Sequence, residues 1–162
     1  MKKLFLMCAL FAFSHLHCQE ITKIIIVRHG EKALDDPKDP SLSEQGKQRA
    51  LRLAELLKEE KIDLAFATPF KRTIHTITPL CEVHKVTINN YDARQPQEFK
   101  SVIQNNKGKT ILIAGHSNTI PNLVNMLIGE DKFPEIDESD FGKLFILHIL
   151  EEKVVGLTLL NY

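Results

Sequence analysis

Residues 21–31 have the sequence ITKIIIVRHGE, in which a short apolar run stops at charged and polar side chains. Between residues 21 and 27, only Thr22 and Lys23 interrupt the apolar side chains. A run without regular apolar–polar alternation is typical of a central strand that is buried on both faces. We therefore predict such a strand here, ending where Arg-His-Gly-Glu begins at residue 28.

The rest of the chain alternates short apolar runs with amphipathic stretches, which predicts an α/β domain. Further strands are predicted at about 64–67, 86–88, 110–114, 144–150 and 154–160, the last two as a hairpin. Helices are predicted from Ser43 to about Glu60, from Thr68 through Ile77, from Pro96 to about Gly108, and from Ser117 to Gly129. Pro79 is expected to end or kink the second helix.

Composition narrows the classes of protein. With 162 residues and no repeat or low-complexity linker, residues 19–162 fit one domain. The formal net charge is zero, which argues against a nucleic-acid partner. If the first 18 residues are removed, Cys81 is the only cysteine left, so neither an intramolecular disulfide nor a Cys-rich metal site is predicted.

The N-terminus has the pattern of a secretory signal peptide. Lys2-Lys3 precedes an apolar run over residues 4–13, too short for a bilayer span of about 20 residues. A small-x-small site occurs at residues 12–14, and a cut after Cys18 is the alternative. Whether Cys18 carries a lipid is open, since the preceding residues match a lipobox poorly. We predict that residues 1–18 are cleaved and the protein is periplasmic or extracellular; a short buried N-terminal helix is the alternative.

Polar residues follow three of the predicted strands. The first strand is followed by His29, the second by Thr68 with Arg72 one turn later, and the fourth by His116. In open parallel sheets, ligands bind beyond the carboxyl ends of the strands. Two arginines, counting Arg28, and two histidines are therefore expected at one edge of the sheet.

Phosphate is the ligand that these side chains suit best. The guanidinium groups of Arg28 and Arg72 match phosphate oxygens in bidentate geometry. Among such positive groups His29 should stay neutral and could attack phosphorus as a nucleophile. His116 and the two arginines would then stabilise charge on the transferring group, and Gly30 would allow backbone to approach it.

The motifs resemble those of the histidine phosphatase superfamily, phosphoglycerate-mutase-like branch. The resemblance covers about residues 23–128 and suggests a small secreted bacterial-type member. It implies a three-layer α/β/α sandwich with a mostly parallel central sheet, a phosphohistidine intermediate, and neither metal nor cofactor. The matching segments are Arg28-His29-Gly30-Glu31, Leu42-Ser43-Glu44-Gln45-Gly46 with Arg49-Ala50, Thr68-Pro69-Phe70-Lys71-Arg72-Thr73, and Gly115-His116-Ser117-Asn118-Thr119.

The proton donor for the leaving group has three candidates. The resemblance implies a carboxylic acid after the helix that carries Arg72, where Asp92 and Glu98 lie. Asp92 is preferred because it ends an extended segment, whereas Glu98 could be a charge favoured at a helix start. The acidic loop 130–140 is the third candidate. It is expected either to be solvated or to border the substrate.

We predict a histidine acid phosphatase-type phosphomonoesterase that acts, without metal, on a small phosphorylated molecule. A phosphoglycerate mutase and a phosphohistidine-protein phosphatase are the alternatives among enzymes. A non-catalytic phosphate-binding protein is the alternative from another class. No membrane span is predicted, and the sequence does not indicate the oligomeric state or the substrate.

Overall fold

The computed structural model describes residues 20–162, so the predicted signal peptide lies outside the described residues. Six strands and four helices form this part of the chain. The strands are β1 Thr22–Arg28, β2 Leu64–Ala67, β3 Ile88–Asn90, β4 Thr110–Gly115, β5 Lys143–Leu150 and β6 Lys153–Asn161. The helices are α1 Glu44–Leu56, α2 Lys71–His84, α3 Glu98–Gln104 and α4 Thr119–Ile128.

The strands form one sheet in the order β3-β2-β4-β1-β5-β6. β3, β2, β4 and β1 are parallel, whereas β5 is antiparallel to β1 and β6 to β5. The predicted mostly parallel sheet with a C-terminal hairpin is therefore confirmed. Within residues 20–162, no helix is long and apolar enough to cross a membrane.

Helices cover both faces of the sheet, which confirms the three-layer α/β/α sandwich. One core cluster joins Ile25 and Val27 of β1 to α1 and α2. The other joins Ile24 and Ile26 of the same strand to α3 and α4. All four side chains are fully buried, so β1 is the two-sided central strand predicted from its apolar run.

The start of α1 agrees with the prediction, whereas the end of α2 differs from it. The Ser43 side chain accepts a hydrogen bond from the Gly46 N–H and caps α1, so this helix begins where it was predicted to begin. Pro79 does not end α2, which continues to His84. On either side of the proline, Ile77 and Leu80 are fully buried, and this burial offsets the backbone hydrogen bond that proline removes.

Candidate active site

The carboxyl ends of β2, β4 and β1 lie side by side and bring the three motifs together. Arg28 pairs in register with Gly115, and Ala67 pairs with Ala114. The backbone N–H of His29 then donates to the Gly115 carbonyl at 3.0 Å. The predicted convergence of the motifs at one edge of the sheet is therefore present.

His29 is placed as a neutral imidazole with one free ring nitrogen. Its Nδ1 lies 2.8 Å from the Gly30 carbonyl, which can only accept, so Nδ1 carries the hydrogen and Nε2 keeps its lone pair. Burial lowers the pKa of His29 to about 3, and the charges of Arg72 and Arg28 act in the same direction. At neutral pH the side chain therefore has the protonation state of a nucleophile.

His116 is the second imidazole, with its ring centroid 5.3 Å from that of His29. Its Nε2 lies 2.9 Å from Thr68 Oγ1, whose own hydrogen is donated to Thr73 Oγ1 at 3.0 Å. Nε2 is therefore the donor to Thr68. Burial, with Arg72 and Arg28, lowers the pKa of His116 to about 4. Thr68 orients this histidine rather than capping α2, whose N-cap is Phe70.

Arg72 presents unused hydrogen-bond donors to the site. Its Nε and Nη1 atoms are buried and have no hydrogen-bond partner among residues 20–162. The guanidinium lies over the Phe70 ring at 4.4 Å, and Nη1 is 3.7 Å from Asp39 Oδ1. Buried donors without partners are rare because they are costly, so an anionic ligand here would satisfy them.

Arg28 is fully buried, and the segment 137–141 encloses its guanidinium. Nη1 donates to the carbonyls of Asp137 at 2.6 Å and Asp140 at 2.8 Å. Nη2 donates to the carbonyl of Glu138 at 3.1 Å, and the Phe141 ring lies 4.2 Å from the guanidinium carbon. Nε has no hydrogen-bond partner within residues 20–162. Arg28 therefore offers one free N–H instead of the bidentate pair expected from the sequence.

Residues of α1 and α2 support the loop 29–31, which follows β1 and contains His29. The Gly30 N–H donates to the buried Thr76 hydroxyl at 2.9 Å. A Cβ on Gly46 would lie 2.4 Å from the Glu31 carbonyl oxygen, so only glycine allows the loop and α1 to approach this closely. Arg49 binds both carboxylate oxygens of Glu31, at 2.6 and 3.0 Å. The motif at residues 42–50 therefore supports the loop.

A cleft of about 860 Å³ extends from Arg72 and His116 to Asp92, Arg94 and Glu98. Asp92 faces this cleft but is paired with Arg94, with oxygen–nitrogen distances of 2.7 and 2.9 Å. This hydrogen bonding holds the pKa of the Asp92 carboxyl well below its usual range. The predicted proton donor is thus near the site but ionised while the pair persists. Glu98 lines the same cleft.

Sequence reasoning did not single out Glu138, Thr76 or Phe141, although all three contact the site residues. The available signal for Glu138 was the acidic run 130–140, for which both a solvated loop and a substrate border were expected. The structure shows a third arrangement, in which the run binds Arg28. Among residues 20–162, no group of three or more His, Cys, Asp or Glu side chains is placed to hold a metal ion.

Comparison with known proteins agrees with the fold and the motifs. Residues 24–93 match the model of the histidine phosphatase superfamily, branch 1. Phosphoserine phosphatase 1 of Hydrogenobacter thermophilus is 33% identical over 78 residues. That alignment covers 44% of this chain and 37% of the relative, so the chain spans little more than a third of the length of that protein.

Solved structures with low sequence identity share the fold. The protein histidine phosphatase SixA complexed with tungstate superposes with a TM-score of 0.72 at 18% identity, covering 86% of this chain and 96% of that one. A phosphoserine phosphatase of Entamoeba histolytica, in complex with 3-phosphoglyceric acid, gives a TM-score of 0.68 at 16% identity, covering 87% and 97%. Residues 24–93, which carry the motifs that contain His29 and Arg72, are therefore similar to the histidine phosphatase superfamily, and the described residues share the fold of solved phosphatase structures.

Proposed function

We propose that this protein hydrolyses phosphomonoesters through a phosphohistidine formed on Nε2 of His29. The hydrogen bond from His29 Nδ1 to the Gly30 carbonyl carries the proposal, because it leaves Nε2 with a free lone pair. The Nε atoms of Arg28 and Arg72, with Nη1 of Arg72, are N–H donors without partners among residues 20–162. They supply hydrogen bonds for the oxygens of a phosphoryl group.

The proposed reaction has two steps. His29 Nε2 attacks phosphorus, the bond to the leaving oxygen breaks, and the phosphoryl group is carried as phosphohistidine until water releases it. Asp92 is the proposed donor of a proton to an alkyl leaving group. Because the pair with Arg94 keeps Asp92 ionised, this role requires a substrate that separates the two side chains. A leaving group that is already a weak base requires no donor.

The substrate we propose is a small phosphorylated molecule, of which the 860 Å³ cleft would hold the organic part. The relatives named above suggest phosphoserine and phosphohistidine as the first compounds to assay. A phosphoglycerate mutase remains an alternative that the same assays test. We also propose that the reaction needs no metal, as expected for phosphoryl transfer to an imidazole between arginines.

Rapid acid and alkaline quenching tests the proposal. After a few milliseconds with p-nitrophenyl phosphate, wild-type protein should carry phosphate that is stable in alkali and lost in acid. His29→Ala should carry none and should lose at least about a thousandfold in kcat/KM. His75→Ala, on the same helix as Arg72, is the matched control and should behave as wild type. Full activity of His29→Ala, or loss of wild-type activity in EDTA that zinc restores, would reject the mechanism.

We propose in addition that residues 1–18 are a signal peptide and that the mature enzyme works outside the cytoplasm. The charged start and the apolar run over residues 4–13 support this. Mass spectrometry of the protein isolated from its native cells should show a chain starting between residues 15 and 19, in the periplasmic or secreted fraction. A cytoplasmic chain that retains residues 1–18 would contradict the proposal.

A further inference from the structure

Glu138 is held between the neighbours of the two histidines. One carboxylate oxygen accepts a hydrogen bond from Ser117 Oγ at 2.6 Å, and the other from Arg28 Nη2 at 3.2 Å. Ser117 directly follows His116, and Arg28 directly precedes His29. The carboxylate therefore bridges Arg28 and Ser117 at the same edge of the sheet as the two histidines.

The charge of Glu138 acts on three of the four residues of the proposed phosphate site. It raises the pKa of Arg28, of Arg72 and of His116, against the larger lowering that burial causes in each. The negative charge of Glu138 therefore influences the ionisation of the residues that form the proposed phosphate site.

Glu138 is also ionised and open to water. The hydrogen bond from Ser117, followed by the charges of Arg28 and Lys32, lowers the pKa of the Glu138 carboxyl below its ordinary value. Its side chain is 67% exposed although Arg28 beneath it is fully buried. An ionised carboxylate with solvent access can accept a proton, whereas it is poorly suited to donate one.

We propose that Glu138 is the general base that activates the water for hydrolysis of the phosphohistidine. The water oxygen bonds to phosphorus while one of its protons passes to a Glu138 carboxylate oxygen. The phosphorus–Nε2 bond breaks, its electron pair returns to His29, and inorganic phosphate leaves. This inference rests on the proposed function and assigns a residue to its second step, leaving the first step to His29 and the arginines.

Pre-steady-state kinetics with p-nitrophenyl phosphate separates the two steps. The burst of p-nitrophenolate reports phosphorylation of His29, and the steady state that follows reports hydrolysis. Glu138→Gln keeps an acceptor oxygen for Arg28, and its amide N–H can donate to the Ser117 hydroxyl oxygen, but the base is lost. We expect its burst rate constant to stay within about threefold of wild type, while its steady-state rate falls by about a hundredfold. Acid-labile phosphate should accumulate on this variant.

Glu135→Gln is the matched control, because Glu135 lies on the same acidic segment and only 3.5 Å from Ser117 Oγ. It should leave both phases unchanged. Glu138→Ala provides a second test, since added formate should restore part of its steady-state rate if a missing base is the cause. A structural defect would not respond to formate.

Other outcomes overturn the inference. Equal slowing of both phases in Glu138→Gln, without formate rescue of Glu138→Ala, would make Glu138 a residue that positions Arg28. An unchanged steady-state rate in Glu138→Gln would show that Glu138 is only a counter-ion of Arg28. If wild-type protein forms no acid-labile phosphate, the proposed function itself fails, and this result is distinct from a normal burst with an unaffected Glu138→Gln.

Discussion

The surroundings of Arg28 and Arg72 differ, although both belong to the proposed phosphate site. Arg28 lies under the segment 137–141, and its two terminal nitrogens donate hydrogen bonds to three backbone carbonyls and a carboxylate. Arg72 lies at the cleft, against the face of Phe70, with two nitrogens that have no hydrogen-bond partner within residues 20–162. Arg28 therefore ties the segment 137–141 to the end of β1, whereas Arg72 offers free hydrogen-bond donors to a ligand.

This difference has a consequence for how the protein tolerates change. Hydrogen bonds from a charged group such as Arg28 stabilise the folded protein, whereas a buried donor without a partner adds no stability and itself costs free energy until a ligand binds it. Stability and activity should therefore be coupled at Arg28 and separable at Arg72.

The largest effect is expected from removing each guanidinium. Arg28→Lys should lower kcat/KM by about a thousandfold and the free energy of unfolding by about 2–4 kcal/mol, because one ammonium group cannot reach all the carbonyls of segment 137–140. Arg72→Lys should lower kcat/KM by about a hundredfold or more, with the free energy of unfolding within about 0.5 kcal/mol of wild type. Urea denaturation and steady-state assays measure both. Equal destabilisation by the two substitutions would contradict the comparison.

A smaller effect, confined to one class of substrate, is expected on the Arg72 side of the cleft. If Asp92 donates the proton, Asp92→Asn should lower kcat for alkyl phosphates by about a hundredfold and affect p-nitrophenyl phosphate far less. Arg94→Ala removes the hydrogen bonds that keep the pKa of Asp92 low and should extend activity on alkyl phosphates toward higher pH. Glu98→Gln is the control from the same cleft. If Glu98→Gln alone shows the leaving-group dependence, the donor is Glu98.

The smallest effect is a change in histidine ionisation. Arg72 contributes to lowering the pKa of His116 from about 6.5 to about 4, although burial contributes more. Arg72→Gln should therefore raise this pKa by less than about one unit, measured by NMR titration of the ring protons. In both proteins His116 is neutral above its pKa and charged below it. An unchanged or lower pKa in Arg72→Gln would show that the arginine charge does not reach the ring.

The low pKa values also set the pH dependence of stability. His29 and His116 are neutral in the folded protein down to about pH 3 and 4, whereas the unfolded chain protonates them below about pH 6.5. The unfolded state thus binds more protons in this interval, so both histidines make the free energy of unfolding decrease as the pH falls through it.

Much of this architecture follows from local sequence. The apolar run of β1 predicts burial on both faces, and Ile24 to Val27 occupy two core clusters as expected. Because parallel neighbouring strands end at one edge, the sequence predicts that the motifs following β1, β2 and β4 lie together. The convergence of His29, His116, Arg28 and Arg72 was therefore predictable from strand periodicity and motif order, whereas the strand order β2-β4-β1 that brings them together is a property of the fold.

Other features depended on distant packing and were not predictable from local pattern. Pro79 is tolerated within α2 because the flanking side chains are buried against the sheet. Asp92 lies at the predicted place, but its pairing with Arg94 decides its charge. The sequence of the acidic run 130–140 is typical of a solvated loop. In the folded protein its carbonyls accept hydrogen bonds from Arg28, which is more than 100 residues away in the chain.

The fold class, the buried central strand and the residue types at the site could be read from the chain alone, because strand periodicity and motif order are local properties. The free nitrogens of those residues, the ionised carboxylates and the contacts of Glu138 with Arg28 and Ser117 became evident only in the folded protein. Those properties depend on hydrogen-bond partners and burial supplied by other parts of the chain, and the free energies involved exist only once the chain is packed.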